Sequence, residues 1–296
     1  MTRPPWYKNH RVWEAITGYL FITPAIIYFL IFQLTGLLWG FYISFTKYNL
    51  RTAPEWIGAE NYIALFTDRI RFPNFYSSML VSLKWVIMEQ PFAILLPLLV
   101  ALLLNTEVKG EGFFKTLFFI PVITPAVAMA TAWRWILDPD MGLLNQILGT
   151  NISWLKDEAT ALPTLAAMSV WGAIGGSMFL WLSALKAIPN EVYEAASIDG
   201  ATGARQFLSI TLPLLRPTLF YAIVTGSIGA FQVFMPMYLL TNGEPKNTTL
   251  TYALLLYRHA TRYDEVGTAL AMAFILLVMI LTVTLLQFRF LPQRYD

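Results

Sequence analysis

Glu194–Pro217 reads EAASIDGATGARQFLSITLPLLRP, a polar, turn-bearing stretch set between two long apolar runs. In a chain this apolar, such a stretch marks a place where the backbone leaves the bilayer, so its reading fixes how the apolar runs are arranged. Taken from Ile188, the segment is IPNEVYEAASIDGATGARQFLSITLP. Asn190 after Pro189 is a helix-start signal. Glu191 and Glu194 fall in or just past the first turn, where acids suit the positive end of a helix dipole. Val192, Ala195, Ala196 and Asp199 share one side by i, i+3, i+4, i+7 spacing. Asp199-Gly200 is a turn signal, and glycine supplies positive φ there. Thr202 is placed to cap a second helix through Gln206, Phe207 and Ile210 to Leu212, and Pro213 restricts the backbone before the next apolar run. The prediction is a helix–turn–helix on the membrane face, with small residues Ala195, Ala196, Gly200 and Ala201 at its crest. Another backbone can approach such a crest closely. The same pattern also fits a solvated amphipathic connection between spans.

Working outward, the 296 residues are 57% hydrophobic and only 13% charged, against about 25% charged in soluble domains. Apolar runs near the bilayer-spanning length of roughly 20 residues make this an all-α integral membrane protein of about six spans. The expected spans are Tyr19–Phe45, Tyr76–Leu104, Phe113–Leu137, Pro163–Leu185, Thr218–Leu240 and Val266–Phe288. The polar segment 188–217 then lies between spans four and five. The basic start, MTRPPWYKNHR, precedes a run too long for a cleavable signal.

Orientation follows the lysines and arginines near the span ends. One side carries Arg3, Lys8, Arg11, Lys109, Lys115, Lys186, Arg205, Arg216, Arg289 and Arg294 in short segments. The other carries Lys47, Arg51, Arg69, Arg71, Lys156, Lys246, Arg258 and Arg262 in longer ones. The denser side is read as cytoplasmic, with both termini and segment 188–217 on it. On the outer side, APEWIGAENYIALFTD reads as a short amphipathic surface helix, and Trp133, Trp135 and Trp154 as interfacial belt residues. No linker or low-complexity stretch divides the chain, so 1–296 reads as one membrane domain.

Several function classes lose their residues. There is no cysteine, and the two histidines, His10 and His259, lack metal-ligand spacing. No metal site is expected, and no catalytic residue, since a Ser/His/Asp set is implausible. No Gly-Lys pair occurs, so the chain holds no phosphate-cradling ATP loop. A net charge of +2 gives no nucleic-acid footprint.

A path for a polar solute needs hydrogen-bonding groups and flat aromatic faces in apolar walls. The fifth span offers Thr225, Gly229, Gln232 and Pro236 on one stripe, flanked by Phe231 and Phe234. The fourth offers Gly172, Gly175, Gly176, Phe179 and Ser183, with Trp171 adjacent. The glycines read as helix-packing positions. Gln232 reads as a substrate contact or as an amide satisfied by a neighbouring helix. Glu89, Lys84 and Arg134 are the ionisable groups nearest the membrane interior. Lys84 and Arg134 are placed to snorkel outward. Glu89 is either a path residue or a structural partner of a basic group on another helix.

Glu194, Ala195, Ala196, Asp199, Gly200, Ala201, Ile210, Leu212 and Pro213 together resemble the EAA motif of ATP-binding-cassette import permeases. The resemblance extends over nearly the whole chain. TLFFIPVITPAVAMATAWRWILDPDMGLLNQIL is similar to the third-helix region of carbohydrate-type permeases, and FQVFMPMYLLTNGEP with TTLTYALLLYRHATRYDEVGTALAMA to their fifth and sixth helices. WIGAENYIALFTD resembles the first-subunit class that includes the maltose and glycerol-3-phosphate permeases. Two departures, Glu244 in TNGEP and Met235 after FQVF, put the identity of the solute in doubt.

The resemblance implies a transport subunit of a bacterial or archaeal plasma membrane. Segment 188–217 would be the coupling helix seated in a cleft of a cytoplasmic ATPase. The expected partners are a second homologous permease, two ATPase subunits holding ATP and Mg2+, an extracytoplasmic solute-binding protein and the lipid bilayer. This chain itself would bind no cofactor. The implied substrate is a sugar or oligosaccharide, with glycerol-3-phosphate or another polyol as the alternative. Rival readings are an ion-driven secondary transporter, for which Glu89 alone is thin support, and a membrane scaffold, which leaves the polar stripes unexplained.

Overall fold

In lipid every backbone N–H and C=O must be paired within the chain, so the apolar runs fold as helices. The computed structural model describes residues 10–106 and 109–290. Arg3, Lys8 and Arg294, used above for orientation, lie outside them. The first apolar run is α1 (His10–Tyr28), a widened π-helical stretch Phe29–Leu34, and α2 (Thr35–Ser44). These join as one 32-residue rod from Trp13 to Ser44, starting earlier than predicted. A two-residue hairpin follows, β1 (Thr46–Lys47) against β2 (Glu55–Trp56), then the surface helix α3 (Glu60–Thr67). Within the predicted surface helix, only Glu60–Thr67 is helical, and Glu55–Trp56 is the second strand of the hairpin.

The second span is α4 (Phe75–Leu104), close to its predicted bounds. The third is not continuous. α5 (Glu111–Ile123) and α6 (Ala126–Ile136) meet at 103°. The cause is local: Pro125 pushes Thr124 out of the helical region, and Thr124 is extended at φ −80°, ψ 128°. A short α7 (Leu143–Leu148) leads to the fourth span, α8 (Ala161–Lys186).

The polar segment begins with α9 (Asn190–Ile198), followed by α10 (Gly203–Gln206), a π-helical turn Phe207–Thr211, and α11 (Leu212–Leu214). The fifth span, α12 (Arg216–Phe231), leaves it at 64°. It ends nine residues short of the predicted Leu240. Pro236 has no N–H to give the Gln232 carbonyl, and the helix stops with Gln232 at φ −93°, ψ 7°. A second π-helical turn spans Met237–Thr241. α13 (Tyr252–Thr261) precedes the last span, α14 (Val266–Phe290). Among the described residues, four helices are long and apolar enough to cross a bilayer, and the two bent pairs qualify when each is taken together.

Two apolar clusters hold the bundle. One, at the hairpin end, gathers Trp85, Leu165, Phe231, Met237, Tyr252 and Met272 among others. The other joins Leu98, Leu104, Trp181, Leu185 and Leu215, so it ties the ends of α4 and α8 to the bend before α12. α5 crosses α8 closely at Gly175, where a Cβ would lie 2.1 Å from the Phe118 carbonyl oxygen. Gly175 is thus a packing glycine, as expected. Gly172 and Gly176 face open space.

Candidate functional site

The segment after α8 folds as predicted in outline. Pro189 stands before α9, and Glu194, Ala195 and Ala196 lie within it. Gly200 takes φ +77°, a conformation that costs any L side chain energy. Thr202 occupies the capping position with extended φ/ψ, yet its side chain makes no capping hydrogen bond. Ile210 falls in the π-helical turn, and Leu212 and Pro213 in α11. Pro213 does not end the helix as expected; the bend comes at Leu215. The helix is already widened just ahead of Pro213, and this accommodates the missing N–H.

The turn is fastened by residues to which sequence reasoning gave no role. Gln206 Nε2 donates to the Ala201 carbonyl at 3.0 Å and to Ser197 Oγ at 2.9 Å. Tyr193 Oη and Thr211 Oγ1 lie 2.9 Å apart and clamp the two helices together. This leaves the crest outward: Glu194, Ala195, Asp199 and Gly200 are exposed, and Ile198 is 87% exposed beside them. The geometry is a two-helix knob whose crest presents Ile198 and small residues between the carboxylates of Glu194 and Asp199.

Between α4, α8 and α12 lies a cavity of about 310 Å³. Glu89, Thr225 and Gly229, all singled out from sequence, line it. Gln90, Ser169, Ser177, Gly226 and Trp181 line it too, and sequence reasoning missed them. Their signal was present: Ser169, Ala173, Ser177 and Trp181 form one i, i+4 row on α8, a face one residue round from the glycine stripe. Glu89 Oε1 accepts a hydrogen bond from Ser169 Oγ at 3.3 Å. No basic partner for Glu89 exists among the described residues, which corrects the expected pairing. Trp181 is 1% exposed, and its indole N–H has no partner among the described residues.

The remaining path candidates lie elsewhere. Gln232, expected to be buried, is exposed at the end of α12, and its side chain makes no hydrogen bond among the described residues. Once the helix stops at Phe231, the stripe from Thr225 does not continue to Gln232 and Pro236. Phe231 is buried in the apolar core. Phe234 stacks on Tyr238 and meets Tyr257, with ring centres 5.1 and 4.8 Å apart. Trp171 and Phe179 sit edge-on to Trp133 and Phe119. Arg134 donates to the Leu239 carbonyl, so it ties α6 to the π-helical turn rather than only snorkelling. Trp154 gives its indole N–H to Asn145 Oδ1 at 2.9 Å and packs against the apolar core at the hairpin end.

The buried amide of this region is Gln90. Its Nε2 donates to the Ile223 carbonyl at 2.7 Å, and its Oε1 accepts from Ser227 Oγ at 2.9 Å. Gln287 Nε2 donates to the same Ser227 Oγ at 2.6 Å. One serine on α12 thereby joins α4 and α14 beside the cavity.

The sequence profile of binding-protein-dependent transport system inner membrane components matches residues 62–294. A probable ABC transporter permease, YesP of Bacillus subtilis, is 38% identical over 284 residues, covering 93% of this chain and 90% of the relative. The arabinooligosaccharides permease AraP of Bacillus subtilis is 33% identical over 278 residues, covering 92% and 87%. The trehalose/maltose permease MalF of Thermococcus litoralis is 32% identical over 281 residues, covering 93% and 94%. The crystal structure of a bacterial ABC transporter involved in import of the acidic polysaccharide alginate contains a chain of the same fold. Its TM-score is 0.80 at 24% identity, covering 97% of this chain and all of that one. With the paired helices after α8 and the helical bundle around them, these likenesses place the chain in the family of binding-protein-dependent transport system inner membrane components, as a permease subunit of ABC importers.

Proposed function

We propose that this permease forms, with a second homologous permease, the membrane path for a sugar or oligosaccharide handed over by an extracytoplasmic binding protein. Two ATPase subunits holding ATP and Mg2+ drive the cycle. Segment 188–217 lies in the cytoplasm with both termini, and its crest seats in an ATPase cleft. The chain acts as one membrane domain.

The observation that carries this reading is the knob itself: Gly200 at φ +77° exposes Ile198 and the small residues Ala195 and Gly200, while Gln206 locks the turn from behind. A preorganised knob loses little freedom on docking. It also sits at the bend into α12, so its displacement moves the wall that carries Thr225 and Gly229. The cavity favours a neutral carbohydrate over glycerol-3-phosphate. Its polar lining is Glu89, Gln90, Ser169, Ser177 and Thr225, with no lysine or arginine to meet a phosphate.

Co-purification tests the docking. The wild-type chain, expressed with its partner subunits, is expected to bring down an ATPase. Gly200→Pro fixes φ near −65° and is expected to lose that association while the chain stays in the membrane. Undiminished association of the Gly200→Pro chain would reject the docking role.

A further inference from the structure

The cavity between α4, α8 and α12 keeps one acceptor and one donor open. Glu89 and Trp181 both line it. Glu89 is half-buried; its Oε1 accepts from Ser169 Oγ at 3.3 Å, and its Oε2 has no partner among the described residues. Trp181 is 1% exposed, and its indole N–H has no partner there either. Its ring belongs to the apolar cluster with Leu98, Met178 and Leu215, so packing fixes where the N–H lies. Gln90, by contrast, has both ends of its amide occupied.

These two groups do not satisfy each other, and helix geometry gives the reason. Ser169, which holds Glu89, stands twelve positions before Trp181 on α8. At about 1.5 Å per residue that is roughly 18 Å along the axis. A helical side chain leans toward the N-terminus, which brings the Trp181 indole part of the way back. The acceptor and the donor therefore stand at opposite ends of a slot. Small residues, Ala93, Ala173, Ala222 and Gly226, wall the space between them. A carboxylate only accepts and an indole nitrogen only donates, whereas a hydroxyl does both. A phosphate would be repelled at the Glu89 end. An ammonium would leave the Trp181 end open. An uncharged molecule with hydroxyls on opposite edges meets both.

We propose that Glu89 and Trp181 are the specificity-determining pair of this cavity and hold one uncharged sugar between them. One hydroxyl donates to Glu89 Oε2, and another, at the far edge of the sugar, accepts from Trp181 Nε1. The small-residue wall leaves room for the apolar faces of the rings. This inference rests on the reading of the cavity as a sugar path, and it assigns the selection of an uncharged sugar to two named side chains.

Fluorine NMR tests the pair in the full chain, labelled with 5-fluorotryptophan and assembled with its co-expressed partners in lipid nanodiscs. Trp181→Phe assigns the signal of interest. Trp85→Phe assigns an internal control, a second buried indole without a partner among the described residues, which sits in the hairpin-end cluster. Maltose and arabinobiose, two uncharged two-ring probes, are expected to shift the Trp181 signal and leave that of Trp85 in place. sn-Glycerol 3-phosphate should shift neither. Glu89→Gln removes a charge-assisted hydrogen bond. It should raise the sugar concentration for half the shift several-fold, with the sugar-free signals of Trp85 and Trp181 unmoved. An undiminished sugar response in that variant would overturn the shared contact. A Trp181 signal that neither sugar moves would mean that water alone meets the N–H, which overturns the proposal as well. Binding of D-glucosamine tenfold tighter than D-glucose would assign Glu89 to a cation and overturn the uncharged class. Failure of the ATPase association would leave these shifts unaffected, so the docking role and the sugar pair fail separately.

Discussion

Ser227 is the residue on which three spans meet. It is 2% exposed, gives its proton to Gln90 Oε1 and receives one from Gln287 Nε2. Ser227→Ala leaves the Gln90 oxygen and the Gln287 amide without that partner. An orphaned buried polar group costs about 1–3 kcal/mol, while hydrogen bonds between membrane helices average only about 0.6 kcal/mol. A loss of ~1–2 kcal/mol follows, seen as a fall of a few degrees in thermal unfolding in detergent. Gln90→Leu combined with Ser227→Ala should cost less than the two single changes summed, because they share one network. Strict additivity would show that the network has no energetic coupling. None of this was legible in sequence. Gln90 stands beside Glu89, which drew attention as an intramembrane charge, and Gln232 was the amide expected to matter. The difference is burial, and burial depends on where α12 ends.

At the scale of elements, local chemistry explains both the successes and the misses. The span boundaries of α4, α8 and α14 follow from apolar length alone. The bend between α5 and α6 was legible too, since a proline after threonine disfavours helix at that threonine, but apolar continuity concealed it. Packing of α8 on α5 turns on a single glycine. Gly175→Ala forces a Cβ to 2.1 Å from the Phe118 carbonyl oxygen, and overpacking of this kind costs roughly 1–3 kcal/mol. Gly172→Ala and Gly176→Ala meet open space and gain about 0.5–1 kcal/mol of helix stability instead. Thermal unfolding of the isolated chain should therefore move down for the first change and stay level or rise for the others. A uniform response of all three would contradict the observed crossing. From sequence the three glycines were one stripe; only the crossing separates them.

For the whole molecule, the hairpin end is held by a charged latch that joins distant parts of the chain. Glu265, just before α14, bonds His259 Nδ1 at 2.9 Å and Arg71 Nη2 at 2.9 Å. His259 lies in α13 and Arg71 in the loop before α4, with Asp264 and Tyr263 alongside. The hydrogen bond with His259 holds the Glu265 carboxyl below its ordinary value of 4.5, burial opposes this, and Arg71 adds to the lowering. A depressed folded-state value means the contribution is complete above the unfolded value and is lost as pH falls through the folded one. Deuterium uptake in 252–265 should therefore rise as the medium is acidified below the ordinary carboxylate range. Glu265→Gln should raise uptake at neutral pH and flatten that acid dependence. An unchanged acid response in this variant would assign the effect to other groups.

The sequence by itself determined that the chain is a helical membrane protein, that a polar helix–turn–helix interrupts its spans, and that the turn needs a glycine. These are properties of runs, spacings and single backbone positions, which act over a few residues. Only the tertiary structure decided which polar groups face the cavity, that Gln90 rather than Gln232 is the buried amide, and that Arg71, His259 and Glu265 meet. Those outcomes depend on helix rotation and on where prolines end a helix. A shift of one residue turns a side chain by about 100° around its axis, and no local spacing records that rotation.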